Sequence, residues 1–74
     1  MLKNDIGINA GVIWHLLFDK GPLSIRQIGE LTGYKEAMII FAIGWLAREN
    51  KIRFFMENEH IYIELVSYPS DIFY

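Results

Sequence analysis

Residues 24–65 read SIRQIGELTGYKEAMIIFAIGWLARENKIRFFMENEHIYIEL, and the periods in this stretch decide the architecture. Ser24-Ile25-Arg26-Gln27 has the S-x-x-Q form of a capping box, in which the Ser oxygen accepts the N3 amide and the Gln side chain reaches back. A short helix over 25–31 is predicted from it, with Ile25, Ile28 and Leu31 on one face, and Thr32-Gly33 breaks it. The run from Lys35 to Glu49 predicts a longer helix, closed at Asn50, a residue that tolerates the left-handed conformation. Two alternating segments follow. Ile52, Phe54 and Met56 share one strand face, and Ile61, Ile63 and Leu65 share another. Only Asn58-Glu59 separates them from a continuous run, so they form a hairpin.

Upstream, residues 5–19 (DIGINAGVIWHLLFD) place Ile6, Ala10, Ile13 and Leu17 on one helical stripe, widened by Leu16 and flanked by Trp14. Asp5 is the candidate N-cap. Gly7 and Gly11 lie near one face of this helix, a pattern that suits close approach by a neighbour or a weak helix start. Gly21-Pro22 ends the helix, and Leu23-Ser24 is a short extended piece. The order is helix, short strand, helix, turn, helix, hairpin. The fold expected from spacing is therefore α+β: a winged helix-turn-helix with three helices, a short strand between helices 1 and 2, and a β-hairpin wing. The domain is expected over residues 1–66, followed by an aromatic tail over 67–74 that carries Pro69 and should not be a central strand.

Composition bounds the function. The 74 residues are 53% hydrophobic and 22% charged, with a net charge of −2, no Cys, five Phe, four Tyr and two Trp. The chain is too short for two cores and too apolar for disorder. Without Cys it has no thiolate metal site. Nine acids against seven bases exclude a basic nucleic-acid arm. The longest apolar run, 37–47, is about half of a membrane span, and no charged start with an apolar run marks a signal peptide. A cytoplasmic protein without membrane association is the expectation.

The wider winged-helix pattern appears as Gly33-Tyr34, Ile39-x-x-x-Ile43-x-x-Leu46, Asn50 and Ile52. Two further strings narrow it: Ile6-Gly7-x-x-Ala10-Gly11-x-x-Trp14-x-x-Leu17, and Ile43-Gly44-Trp45-Leu46-Ala47-Arg48-Glu49-x-Lys51-Ile52. With them the chain resembles a small bacterial winged helix-turn-helix family of stand-alone chains, catalogued as a domain of unknown function. The resemblance implies the fold and a DNA-binding label. It implies no ligand, reaction or target, and supplies no functional residues to carry over.

In a DNA-reading winged helix the second helix of the motif presents polar and basic side chains to the major groove. With Ile39, Ile43 and Leu46 turned inward, the outward half of this helix holds Ala37, Ile40, Phe41, Gly44 and Trp45, with Met38 on its flank. Of these six, only Trp45 carries a side-chain donor, the indole N–H. The wing tip, Glu57-Asn58-Glu59-His60, would repel phosphate. The basic residues left for DNA are Arg26, Lys35, Arg48, Lys51 and Arg53, and cations such as Arg48 also suit a helix C-terminus without any ligand.

The apolar face therefore predicts a protein interface at Ala37, Met38, Ile40, Phe41, Gly44 and Trp45. Three occupants are open: the tail of the same chain, a second copy or another protein. The homodimer is favoured because symmetric pairs are the commonest oligomers. If Trp45 instead turns inward, it belongs to the core.

No catalytic, cofactor or metal site is expected. His15 and His60 lack metal-ligand spacing, Ser24 is a cap rather than a nucleophile, and Glu57, Glu59 and Glu64 lie on a solvated hairpin. No glycine-rich phosphate loop or small-molecule site is evident.

Overall fold

The computed structural model describes residues 3–66. The elements are α1 (Lys3–Lys20), β1 (Leu23–Ser24), α2 (Ile25–Thr32), α3 (Glu36–Arg48), β2 (Ile52–Glu57) and β3 (His60–Leu65). This is the expected winged helix, with the helix-turn-helix in α2 and α3 and the wing in β2 and β3. The tail expected over 67–74 lies outside the described residues.

Local signals set most of the boundaries. The Gln27 amide donates to Ser24 Oγ at 3.1 Å and the Ser24 amide donates to Gln27 Oε1 at 2.9 Å, so the capping box opens α2. Gly33 closes it at φ 75°, a left-handed conformation that costs glycine nothing. Thr32 spans the turn: its hydroxyl donates to the Ile28 carbonyl at 2.7 Å and accepts the Tyr34 amide at 3.1 Å. Asn50, just past α3, takes φ 58°. The first helix begins two residues earlier than Asp5 suggested, which puts Asp5 in the first turn, where a negative charge suits the helix dipole.

The sheet order is β1-β3-β2, all antiparallel. Leu23 pairs with Ile63, and in the wing Ile52 faces Leu65, Phe54 faces Ile63 and Met56 faces Ile61. One wing face is therefore apolar from base to tip. The other carries Arg53 bonded to Glu64 at 2.9 Å and Phe55 stacked on Tyr62 with ring centroids 5.5 Å apart. The two-residue turn places Asn58 at φ 53° and Glu59 at φ 67°, the pair of positive values that a type I′ hairpin turn needs.

The core closes on four isoleucines, Ile13 of α1, Ile28 of α2, Ile39 of α3 and Ile63 of β3, each shut off from solvent. Ala10, Leu17, Leu23, Ala42, Ile43, Leu46 and Ile52 complete it. Two expectations fall short at its edges. Leu31, expected beside Ile25 and Ile28, is exposed because it sits on the last turn of an eight-residue helix, beyond what α3 covers. On the inner wing face only Ile52 and Ile63 are buried; Phe54, Met56 and Ile61 overhang the core.

Glu59 holds a left-handed conformation that costs a residue with a Cβ about 1 kcal/mol. Glu59→Gly creates the Asn-Gly pair favoured in such turns and should raise thermal stability by several degrees in circular-dichroism melts. An unchanged or lower midpoint would show that the turn carries no such strain.

Candidate functional site

The outer surface of α3 divides into three strips. The crest carries Ala37 and Phe41, both exposed. The flank toward the wing carries Ile40 and Gly44, also exposed. The flank toward α1 carries Met38 and Trp45, both partly buried.

Trp45 corrects the sequence expectation. It lies 120° from Ile39 on a helical wheel but on the α1 side, and α1 packs closely enough there to cover it. Gly7 lies beside it: a Cβ built on Gly7 would stand 3.6 Å from the Trp45 ring, an ordinary contact, so the site has room for a methyl but not for a large side chain. Gly11, the second glycine of the pair, has nothing within 4 Å of its would-be Cβ. Close approach thus occurs at Gly7 and not at Gly11. Met38, on the same flank, is likewise drawn inward.

On the wing side the surface opens into an apolar cleft of about 610 Å³. Ile25, Ile40, Ile43 and Gly44 form its helical wall, and Phe54, Met56 and Ile61 form the wing wall. Exposure decides what this cleft is. Ile40 is 50% exposed, Phe54 51%, Met56 66% and Ile61 50%, all four lining the cleft, and Phe41 on the adjacent crest is 52% exposed, so five large apolar side chains face solvent on this side of the domain. At about 100 Å² exposed per side chain, they present roughly 500 Å², within the range of the largest patch on a monomer. The wing residues in this patch went unrecognised in the sequence because alternation marks a face as apolar without saying how far the core beneath it extends.

The five basic residues fall at different places: Arg26 on α2, Lys35 before α3, and Arg48, Lys51 and Arg53 around the connection from α3 to β2. Lys35 caps the start of α3 and Arg48 ends it, separated by a 13-residue helix about 20 Å long. Arg26 on α2 approaches Glu30 at 3.4 Å, and Arg53 is held by Glu64 at 2.9 Å. Arg48, the last residue of α3, and Lys51, on the connection to β2, are both exposed. None of the five lines the α3–wing cleft. Two of them are partly neutralised by acids, and the set spans both ends of the helix.

Among the described residues no group of three His, Cys, Asp or Glu could hold a metal ion. No helix among them is long and apolar enough to cross a membrane. His15 is exposed with its ring edge-on to Trp14.

The model of the winged helix-turn-helix domain family DUF2582 matches residues 1–65. The chain belongs to this family. An uncharacterized protein of Methanocaldococcus jannaschii is 41% identical over 63 residues, which is 81% of this chain and 89% of that one. A protein from Bacteroides thetaiotaomicron, solved by solution NMR, has 35% identity and a TM-score of 0.79, covering 88% of this chain and 79% of the other. As a DUF2582 domain the chain shares an architecture that typically binds nucleic acid and serves regulation rather than catalysis. The family is one of unknown function, so membership names no ligand. The two strings that carried the resemblance meet in space where Trp45 covers Gly7.

The Gly7–Trp45 contact yields a graded expectation. Gly7→Ala places its methyl at ordinary contact distance and adds helix propensity, so stability should hold or rise by up to about 1 kcal/mol. Gly7→Leu must displace the indole and should lower stability by about 1–3 kcal/mol. Urea denaturation of both variants checks this, and equal stability would mean that the ring does not rest on the glycine.

Proposed function

We propose that this domain self-associates through the α3–wing surface, as an isologous pair in which each chain offers both a projection and a recess. Phe41 stands on the crest, and the cleft beside Gly44 opens toward the wing. A two-fold axis near Gly44 sets Phe41 of one chain against the partner's Phe54, Met56 and Ile61. The carrying observation is the exposed apolar cleft in which Ile40 and Gly44 of α3 face Phe54, Met56 and Ile61 of the wing, with exposed Ala37 and Phe41 on the crest beside it. Gly44 and Ala37 keep the helix surface low, which favours close approach. Roughly 500 Å² from each chain gives about 1,000 Å² in total, the lower bound for a specific interface, so the pair should be weak, dissociating in the micromolar range. Met38 and Trp45 support this surface from the α1 side. A partner protein of similar apolar chemistry would use the same residues.

Sedimentation equilibrium at tens of micromolar protein tests the reading. The wild type should show a monomer–dimer equilibrium. Phe41→Asp and Phe54→Asp should each weaken it by about thirtyfold or more, since each buries a charge at a central anchor. A wild type that stays monomeric across that range sinks the proposal.

The alternative reading is a DNA-binding regulator, favoured by the architecture of the family. It would use Arg26, Lys35, Arg48, Lys51 and Arg53, and it needs an assembly to unite cations that one chain keeps apart. Fluorescence anisotropy with random duplex at low salt separates the two. On the protein-facing reading no binding develops up to tens of micromolar protein. Binding that falls steeply with added salt would instead support the nucleic-acid reading, given non-specific constants of about 10⁻⁴–10⁻⁶ M.

A further inference from the structure

The wing has an open edge. In the sheet order β1-β3-β2, β3 is paired on both sides and β2 on one, so the outer edge of β2 meets no strand among the described residues. The ladder fixes which backbone groups point there. Lys51 and Val66 are a hydrogen-bonded pair, the Val66 amide donating to the Lys51 carbonyl at 3.0 Å. Hydrogen-bonded pairs alternate along an antiparallel ladder, so Arg53, Phe55 and Glu57 turn their amides and carbonyls toward Glu64, Tyr62 and His60. Phe54 and Met56 turn theirs outward. Such an edge is a template for another strand unless Pro, Lys or a bulge blunts it. Residues 52–57 hold neither Pro nor Lys, and their pairing with β3 runs without interruption.

The sequence of this edge is complementary to itself. Two identical antiparallel strands keep like faces together only when the two-fold axis is centred on a residue. Centred on Phe55, it sets Phe54 against the partner's Met56, and Met56 against the partner's Phe54. These are the positions whose backbone groups point outward, so each pair can exchange two hydrogen bonds. The same register sets Phe55 against the partner's Phe55 and Arg53 against the partner's Glu57. Those fall on the non-hydrogen-bonded positions, where side chains come closest and opposite charges stabilise. Symmetry repeats each match. Centring on Phe54 instead sets Arg53 against the partner's Phe55 and draws in Ile52, which is buried in its own core. Arg53, Phe54, Met56 and Glu57 are all exposed.

We propose that two copies of this chain pair β2 against β2, antiparallel and centred on Phe55, to make one six-stranded sheet from two of three strands. On one face the Phe55 ring of each chain, already stacked on Tyr62, meets its symmetry mate, and Arg53 with the partner's Glu57 closes each end of this aromatic ladder. On the other face Phe54 lies beside the partner's Met56. This interface goes beyond the α3–wing pair, because it uses the backbone edge of the wing and not the cleft. The two share Phe54 and Met56. Phe41 belongs only to the α3–wing pair, and Arg53 with Glu57 only to the edge pair.

Charge reversal in the full chain tests the pairing. Arg53→Glu and Glu57→Arg each oppose like charges across the edge, and each should weaken self-association about tenfold in sedimentation equilibrium. An equimolar mixture of the two variants restores both ion pairs and should form a mixed dimer about tenfold tighter than either variant forms alone. A mixture no tighter than its components overturns the proposal. Amide hydrogen exchange of the wild type supplies the second arm. Protection at Phe54 and Met56 should rise with protein concentration and should persist in Phe41→Asp. Exchange at both amides that ignores concentration, or protection that vanishes in Phe41→Asp, overturns the edge pairing. Self-association that Phe41→Asp abolishes and charge reversal leaves unchanged would overturn the edge pair while leaving the α3–wing pair standing.

Discussion

Four isoleucines, one from each helix and one from the central strand, meet at the centre of this domain, and the remaining geometry is arranged around them. Each is β-branched, so its first side-chain torsion is restricted and its contacts fix the direction of the backbone that carries it. Ile13 of α1, Ile28 of α2, Ile39 of α3 and Ile63 of β3 all belong to one buried cluster, which ties the three helices to the sheet. Because Ile63 pairs with both Leu23 and Phe54, the joint also fixes the three-stranded register. A chain of this size buries only about 60% of the surface its unfolded form exposes, so such a joint cannot extend far in any direction.

That limit governs where apolar surface spills out. The inner wing face is apolar along its whole length, yet the core beneath it stops at Ile52 and Ile63. The outer half, Phe54, Met56 and Ile61, therefore stands across a cleft from Ile40 and Gly44. On the other flank of α3 the outcome differs, because α1 comes close. Gly7 leaves room beside α3 for the Trp45 ring, which a large side chain there would displace. The two flanks of one apolar helix have thus been treated differently by their neighbours. One is partly buried within the chain, and the other stays exposed.

The architecture and the surface chemistry point to different ligands. Winged helices typically meet nucleic acid with the second helix of the motif, through hydrogen-bonding and cationic side chains. Here that helix presents Ala37, Ile40, Phe41 and Gly44, and the cations sit at its ends or in pairs with carboxylates. A DUF2582 domain with this face has the scaffold of a DNA reader but an apolar surface where base contacts would be made. Function on a shared fold lies in the side chains of the site, and those on this face are apolar.

Most of the fold was legible in the sequence because its determinants are local or periodic. The capping box at Ser24, the left-handed positions at Gly33 and Asn50, the alternation over 52–65 and the stripe of Ile6, Ala10, Ile13 and Leu17 act within a few residues of chain. The apolar character of α3 was equally plain from its sequence. Tertiary structure alone decided which apolar residues are hidden. Trp45 and Phe41 both lie off the buried stripe of one helix, but only one of them meets α1, through a glycine 38 positions away in the chain. Phe54 and Ile52 share one strand face, but only one of them lies over the four-isoleucine joint. Periodicity assigns a residue to a face. Burial depends on how far the opposing element reaches, and that is set by packing between segments distant in sequence.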